Sequence, residues 1–160
     1  MYVLTYPFVV QLRDAMVTTD GVSKEANRKF WLVDKEGLLL EREQADPVDG
    51  GRKEFLRPKD EDWKEGHISL LDVIKRARPT VLIGCSTAGG TFNEDVIKTM
   101  VDGIEEGARP IVLPLSNPSR LAEAKPEDLL RWTQGRALVA TGSPFGRVEM
   151  ELTTRKVGFE

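Results

Sequence analysis

RPTVLIGCSTAGGTF, from Arg78 to Phe92, opens with a proline-led apolar run, Thr80–Ile83. It then passes into a loop of small residues, Gly84-Cys85-Ser86-Thr87-Ala88-Gly89-Gly90. A helical pattern follows at once, with Val96, Ile97, Met100, Val101 and Ile104 on one stripe. The order is a buried strand, a glycine-bearing turn and a helix N-terminus. Such a turn lets phosphates or sugars of a ligand come close to backbone N–H groups. The stretch therefore predicts an α/β nucleotide-binding domain.

Working outward, the same alternation recurs. Toward the N-terminus, Ser69-Leu70-Leu71-Asp72 has capping-box spacing, with Asp in the place of Glu, and starts a helix that Pro79 ends. Before it, residues 41–66 form a polar excursion with Pro47, Gly50, Gly51 and Pro58, and little regular structure is expected there. Lys29–Val33 reads as a strand ending at the turn Asp34-Lys35-Glu36-Gly37. Ser23-Lys24-Glu25-Ala26 reads as a capped helical turn, Gln11–Thr19 as a helix, and residues 1–10, MYVLTYPFVV, as β-prone. Toward the C-terminus, Thr91–Glu94 has capping-box spacing. Pro110–Leu115 is a strand that stops at Ser116-Asn117-Pro118, Lys125-Pro126-Glu127-Asp128 starts a helix, and Gly135 closes it. Ala137–Thr141 is the last strand and ends at Gly142-Ser143-Pro144-Phe145. Short strands alternating with helices imply parallel βαβ units. The expected class is α/β, a Rossmann-like doubly wound, mainly parallel sheet with helices on both faces. In such sheets ligands bind at the carboxyl ends of the strands. Asp34, Gly84–Gly90, Ser116-Asn117-Pro118 and Gly142-Ser143-Pro144 all fall at strand ends.

Composition narrows the function. The 160 residues suit one domain with its own core. Net charge is −3 and no long basic block is present, so no nucleic-acid partner is expected. The single cysteine, Cys85, excludes an internal disulfide and a cysteine-built zinc site. The single histidine, His67, excludes a His-rich metal site within the chain and is expected at the surface. No apolar run reaches membrane-spanning length, and residues 2–10 lack a basic flank and cleavage site. The expectation is an intracellular protein, cytoplasmic or mitochondrial.

Each strand-end residue has two readings. Asp34 is placed to bind both hydroxyls of an adenosine ribose, and it equally suits a D-x-x-G turn. Gly84, Gly89 and Gly90 supply unusual backbone angles or close approach to a ligand. Asn117 presents a side-chain amide to a nicotinamide ribose or a substrate carboxylate, or makes an Asn-Pro turn. Ser143 shares these two readings with it. No G-x-x-x-x-G-K-[ST] is present, so the glycine loop is not a Walker loop.

The four segments FWLVDKEGLL (Phe30–Leu39), RPTVLIGCSTAGGTFNEDVIKTM (Arg78–Met100), RPIVLPLSNPS (Arg109–Ser119) and GRALVATGSPF (Gly135–Phe145) occur in an order and spacing that resemble the NAD(P)-binding domain of malic enzymes. The resemblance covers about residues 11–148, between a non-matching segment, 1–10, and a tail, 149–160. It implies oxidative decarboxylation of malate to pyruvate with reduction of NAD or NADP, assisted by Mg or Mn. It also implies that Asp34 meets the adenosine ribose, that Gly84, Gly89 and Gly90 lie against the cofactor with Ser116, and that Asn117 stands at the nicotinamide and malate end. In the family the metal carboxylates, the base lysine and the acid tyrosine lie upstream, so no catalytic or metal residue is assigned here. The family's glycine fingerprint precedes the helix that begins near Gln11, whereas this chain has no glycine before Gly21. A truncated domain, inactive by itself, is therefore expected. The alternative is a non-catalytic nucleotide-binding or oligomerisation module that associates with itself or with a full-length homologue. A basic residue in the excursion, Arg52 or Lys53, is the candidate for favouring NADP.

Overall fold

The structure, a computed structural model, describes residues 5–20, 24–41, 52–58, 61–63 and 66–149. The chain divides into two compact units, residues 1–77 and 78–160.

The first unit begins with helix α1, Thr5–Asp20. The helix starts well before Gln11 and absorbs much of the β-prone run. Pro7 is compatible with this because it falls in the first turn, where the N–H has no intrahelical acceptor to lose. Val9 is buried, so packing overrides the weak helix propensity of Phe8-Val9-Val10. Arg13 hydrogen-bonds Glu54 at 2.6 Å and lies over the Phe55 ring, tying α1 to a 3-10 turn at Arg52–Phe55. A second 3-10 turn, Lys24–Lys29, takes the place of the expected helical turn, and Ser23 lies outside the described residues. The expected strand Lys29–Val33 is reduced to β1, Val33–Asp34, which pairs antiparallel with β2, Gly37–Leu38. Asp34 drives this hairpin: its Oδ1 accepts from Glu36 N at 2.7 Å, and Gly37 takes φ +99°.

The polar excursion contributes to the interior. Phe55 and Arg57 are both buried, and Arg57 bridges to Leu40. Its guanidinium stacks over Trp31 at 4.8 Å, donates to the carbonyls of Arg28 and Phe30, and pairs with Glu61. Arg76 covers Trp63 at 4.3 Å. Long cationic side chains thus serve as lids over flat apolar rings, an arrangement that polar composition conceals. Helix α2, Leu70–Ala77, has the expected cap. Asp72 N donates to Ser69 Oγ at 3.2 Å, and Ser69 N donates to Asp72 Oδ2 at 2.9 Å. Val73 packs with Leu38 and Ile68 in the small core.

The second unit is three parallel strands: β3 (Val81–Gly84), β4 (Ile111–Pro114) and β5 (Leu138–Val139), in spatial order β3-β4-β5. Helix α3 (Glu94–Asp102) makes the first crossover and helix α4 (Pro126–Trp132) the second, and the two helices pack against each other. Leu82 and Val112 turn inward with Val96, Ile97, Met100 and Leu129 among the buried residues. Parallel strands joined through helices make this a Rossmann-like α/β domain. Asn93, not Thr91, caps α3: its side chain accepts from Val96 N at 3.1 Å, while Glu94 pairs with Lys98. At the far end of α4, the buried Thr133 hydroxyl donates to Leu129 O and accepts from Ala137 N, linking the helix to β5.

Burial works against the charge on Glu61. Hydrogen bonds from Arg57 and Trp63, with the attraction of Arg57 and Arg76, outweigh it and hold its carboxyl below the usual 4.5. A depressed folded value contributes stability that is present above pH 4.5 and lost as pH falls through the folded value. Glu61→Gln is expected to destabilise the first unit by about 2 kcal/mol at neutral pH and to flatten the acid limb of its unfolding curve. Urea titrations followed by tryptophan fluorescence between neutral pH and pH 3 check both outcomes.

Candidate cofactor-binding site

Three of the four predicted strand-end clusters meet at the carboxyl ends of β3, β4 and β5. The glycine loop leaves β3 at Gly84, the Ser116-Asn117 loop leaves β4, and Gly142-Ser143 follows β5. Backbone hydrogen bonds join them, Leu115 N to Gly84 O at 2.8 Å and Gly142 N to Pro114 O at 3.3 Å. Asp34 belongs to the first unit, half-buried in its own turn.

The side chain that organises these loops is Glu123, which the sequence analysis did not single out. It is 0% exposed. Its Oε1 accepts from Ser86 N at 2.8 Å, Ser86 Oγ at 3.0 Å and Ser116 Oγ at 2.5 Å. Its Oε2 accepts from Ser116 N at 3.4 Å. The two serines pass the interaction onward: Thr87 N donates to Ser116 Oγ at 2.8 Å and Ala88 N to Ser86 Oγ at 3.2 Å. A buried carboxylate with four donors is well compensated without a cation. The available signal was an acid between two alanines, Ala122-Glu123-Ala124, seven residues past the serine that it binds.

This network revises the initial picture of the glycine loop. The N–H groups of Ser86, Thr87 and Ala88 point inward, Gly90 N bonds to Ala122 O, and Phe92 N bonds to Glu123 O. These donors hold the loop together and are not free for a phosphate. The glycines have structural reasons as well. A Cβ on Gly84 would stand 2.5 Å from Glu123 Cδ, and one on Gly89 would stand 2.9 Å from Arg120 O. Gly90 has φ +79° with open space beside it. What the loop offers outward is an exposed shelf, Gly89-Gly90, free of side chains.

Asn117 is exposed at the next loop, with a cis peptide bond to Pro118. Ser143, buried below it, donates to its Oδ1. Its Nδ2 donors carry no hydrogen bond among the described residues. A bare shelf beside an oriented amide donor fits a flat ligand carrying hydroxyl or carbonyl acceptors, such as NAD. A metal fits less well: among the described residues no three His, Cys, Asp or Glu side chains gather as a metal centre. His67 is exposed, with Nδ1 3.2 Å from Glu36 O. Lys53 is exposed, and nothing is described for the Arg52 side chain. No helix among the described residues is long and apolar enough to cross a membrane.

Loops gathered at the carboxyl edge of a parallel α/β sheet, with an exposed glycine shelf and a directed amide, define the class as a Rossmann-like cofactor-binding domain. Residues 8–159 match the family described as malic enzyme, NAD binding domain. The chain belongs to that family. It is 43% identical over 154 residues to NAD-dependent malic enzyme 3 of Bacillus subtilis, covering 92% of this chain and 26% of that protein. It is 44% identical over 153 residues to the malolactic enzyme of Leuconostoc mesenteroides, with the same coverage. It is 41% identical over 140 residues to the mitochondrial NAD-dependent malic enzyme of Saccharomyces cerevisiae, covering 87% of this chain and 20% of that protein. The chain thus spans about a quarter of the length of the curated relatives that it matches.

Gly142 tests how tightly the loops are joined. A Cβ there would collide with the Leu115 carbonyl, a backbone atom that has little room to yield. Gly142→Ala is expected to destabilise the second unit by about 2–4 kcal/mol. Gly146→Ala, at a position with nothing within 4 Å, is expected to stay within about 0.5 kcal/mol of the parent. Chemical denaturation of the two variants side by side checks the contrast.

Proposed function

We propose that this chain forms the NAD-side wall of a malate-oxidising active site and acts within oxidative decarboxylation of malate to pyruvate. The observation that carries this reading is the meeting of the Gly84–Gly90, Ser116-Asn117 and Gly142-Ser143 loops at one sheet edge, in a chain of this family. In this reading Gly89 and Gly90 form the exposed floor under the cofactor, and the buried Gly84 and Ser116 support it from beneath. Asn117 directs its amide donors to the nicotinamide end and to the malate carboxylate, and Ser143 sets the orientation of that amide. For Asp34, in the first unit, the adenosine ribose is the role that family membership suggests. NAD, when bound, supplies the hydride acceptor. The role given to Asn117 needs only an amide donor held at a fixed place, which the bond from Ser143 provides.

The residues described do not fit a Mg or Mn centre, and no base or acid is assigned among them. The floor alone positions a cofactor without moving a proton or polarising a carbonyl. NAD is favoured over NADP, because relatives named as NAD-dependent match along most of the chain. Malolactic relatives match at similar identity, so this segment does not separate the two reactions. A non-catalytic, self-associating use of the same domain remains the competing reading, and it draws on the inward-turned N–H groups of the loop.

The 160-residue chain is expected to give no turnover with malate, NAD or NADP and Mn. NAD is expected to bind with a dissociation constant no tighter than roughly 1 mM, because the N–H groups of Ser86, Thr87 and Ala88 are already taken up within the protein. A spectrophotometric assay and NAD titration by NMR check these outcomes. Sustained reduction of the cofactor would overturn the first and micromolar binding the second. Absence of any NAD-dependent shifts at Gly89, Gly90 and Asn117 would favour the non-catalytic module.

A further inference from the structure

We infer that Glu123 is a positioning residue for cofactor binding: through Ser86 and Ser116 it holds the glycine shelf and the Asn117 loop in one fixed arrangement. The inference rests on the cofactor reading above, and it adds a residue to which that reading gives no role.

The argument begins with burial. A fully enclosed carboxylate is unfavourable unless strong donors surround it. Glu123 has four, two backbone N–H groups and two hydroxyls, and they come from two different loops. Ser86 belongs to the loop after β3 and Ser116 to the loop after β4. One anion therefore clamps two chain segments that are 30 residues apart in sequence but adjacent in the sheet. Each serine hydroxyl donates to the carboxylate and accepts from the next loop N–H, so the clamp extends to Thr87 and Ala88. The main chain of the same segment adds Gly90 N to Ala122 O and Phe92 N to Glu123 O. Gly84 is bare where the Glu123 side chain passes, which leaves room for the clamp.

None of these groups is aimed outward. Asn117 follows Ser116 directly, so the clamp on Ser116 sets where the amide emerges, and Ser143 then sets how it is turned. On the other side, Gly89-Gly90 follow the three amides that the clamp restrains. The carboxylate is thus placed to act on the ligand through the loops without touching it. Charge strengthens such hydrogen bonds about twofold over neutral ones. A neutral amide in its place keeps the size of the side chain and loses much of the grip.

The test uses the 160-residue chain with NAD as the probe. Glu123→Gln is expected to keep its secondary structure and a cooperative unfolding transition. It is expected to speed amide exchange at Ser86, Thr87 and Ala88 at least tenfold, with exchange in α3 unchanged. The NAD dissociation constant from NMR shifts is expected to rise about fivefold. Ser86→Ala, which removes one hydroxyl from the clamp, is expected to shift both readouts in the same direction. The double variant should be no worse than the poorer single one, because both changes release the same grip. If Glu123→Gln fails to fold, Ser86→Ala and Ser116→Ala carry the test through the same two readouts. Unchanged exchange at residues 86–88 would overturn the clamp. Faster exchange with unchanged NAD affinity would reduce Glu123 to a purely structural role and overturn the positioning claim. If the parent chain shows no NAD-dependent shifts, the cofactor reading and the positioning claim fall together, while exchange still decides whether the clamp exists.

Discussion

The second unit depends on a carboxylate buried among four donors. Glu123 sits between the loops that leave β3 and β4, and its requirement for compensation dictates much of what surrounds it. Two serines must face it, three loop N–H groups turn inward with them, and Gly84 must lack a side chain where it passes. Gly142 is confined in a similar way by the Leu115 carbonyl. The small residues that mark these loops in the sequence are thus accounted for by one another before any ligand is considered.

That account changes how the site works. A glycine loop between a strand and a helix suggests a cradle of free N–H groups for phosphate. Here the cradle is closed by the protein's own carboxylate, and the loop offers a shelf instead. Donors toward a ligand come from the side chain of Asn117, whose orientation Ser143 sets from below. A rigid shelf with one directed amide suits the flat, acceptor-rich end of a dinucleotide better than its pyrophosphate. This agrees with the role proposed for the loops within a malate-oxidising enzyme.

In the second unit the sequence was largely legible. Strand–loop–helix order, the apolar stripe of α3 and the proline-led start of α4 all reflect local patterns, and each observed strand lies within a residue or so of, or inside, its expected span. The first unit was harder to read. Apart from α1 its described elements are short, the described hairpin has two-residue strands, and its interior sets Arg57 and Arg76 over Trp31 and Trp63 beside a small aliphatic cluster. Periodicity carries little information when cations cover the rings. Residues 5–10 misled in another way: β-branched and aromatic side chains favour strands locally, yet the segment is helical with Val9 buried.

The sequence by itself determined the class of fold, the family and the places where loops leave the sheet, because these rest on the order of apolar runs, glycines and prolines along the chain. Only the tertiary structure decided what the loops do with their hydrogen-bonding groups. Glu123 lies 37 residues from Ser86 and seven from Ser116, and no local pattern says that one acid will serve both. A buried charge takes its donors from whatever the fold brings within reach, and that choice is made in three dimensions.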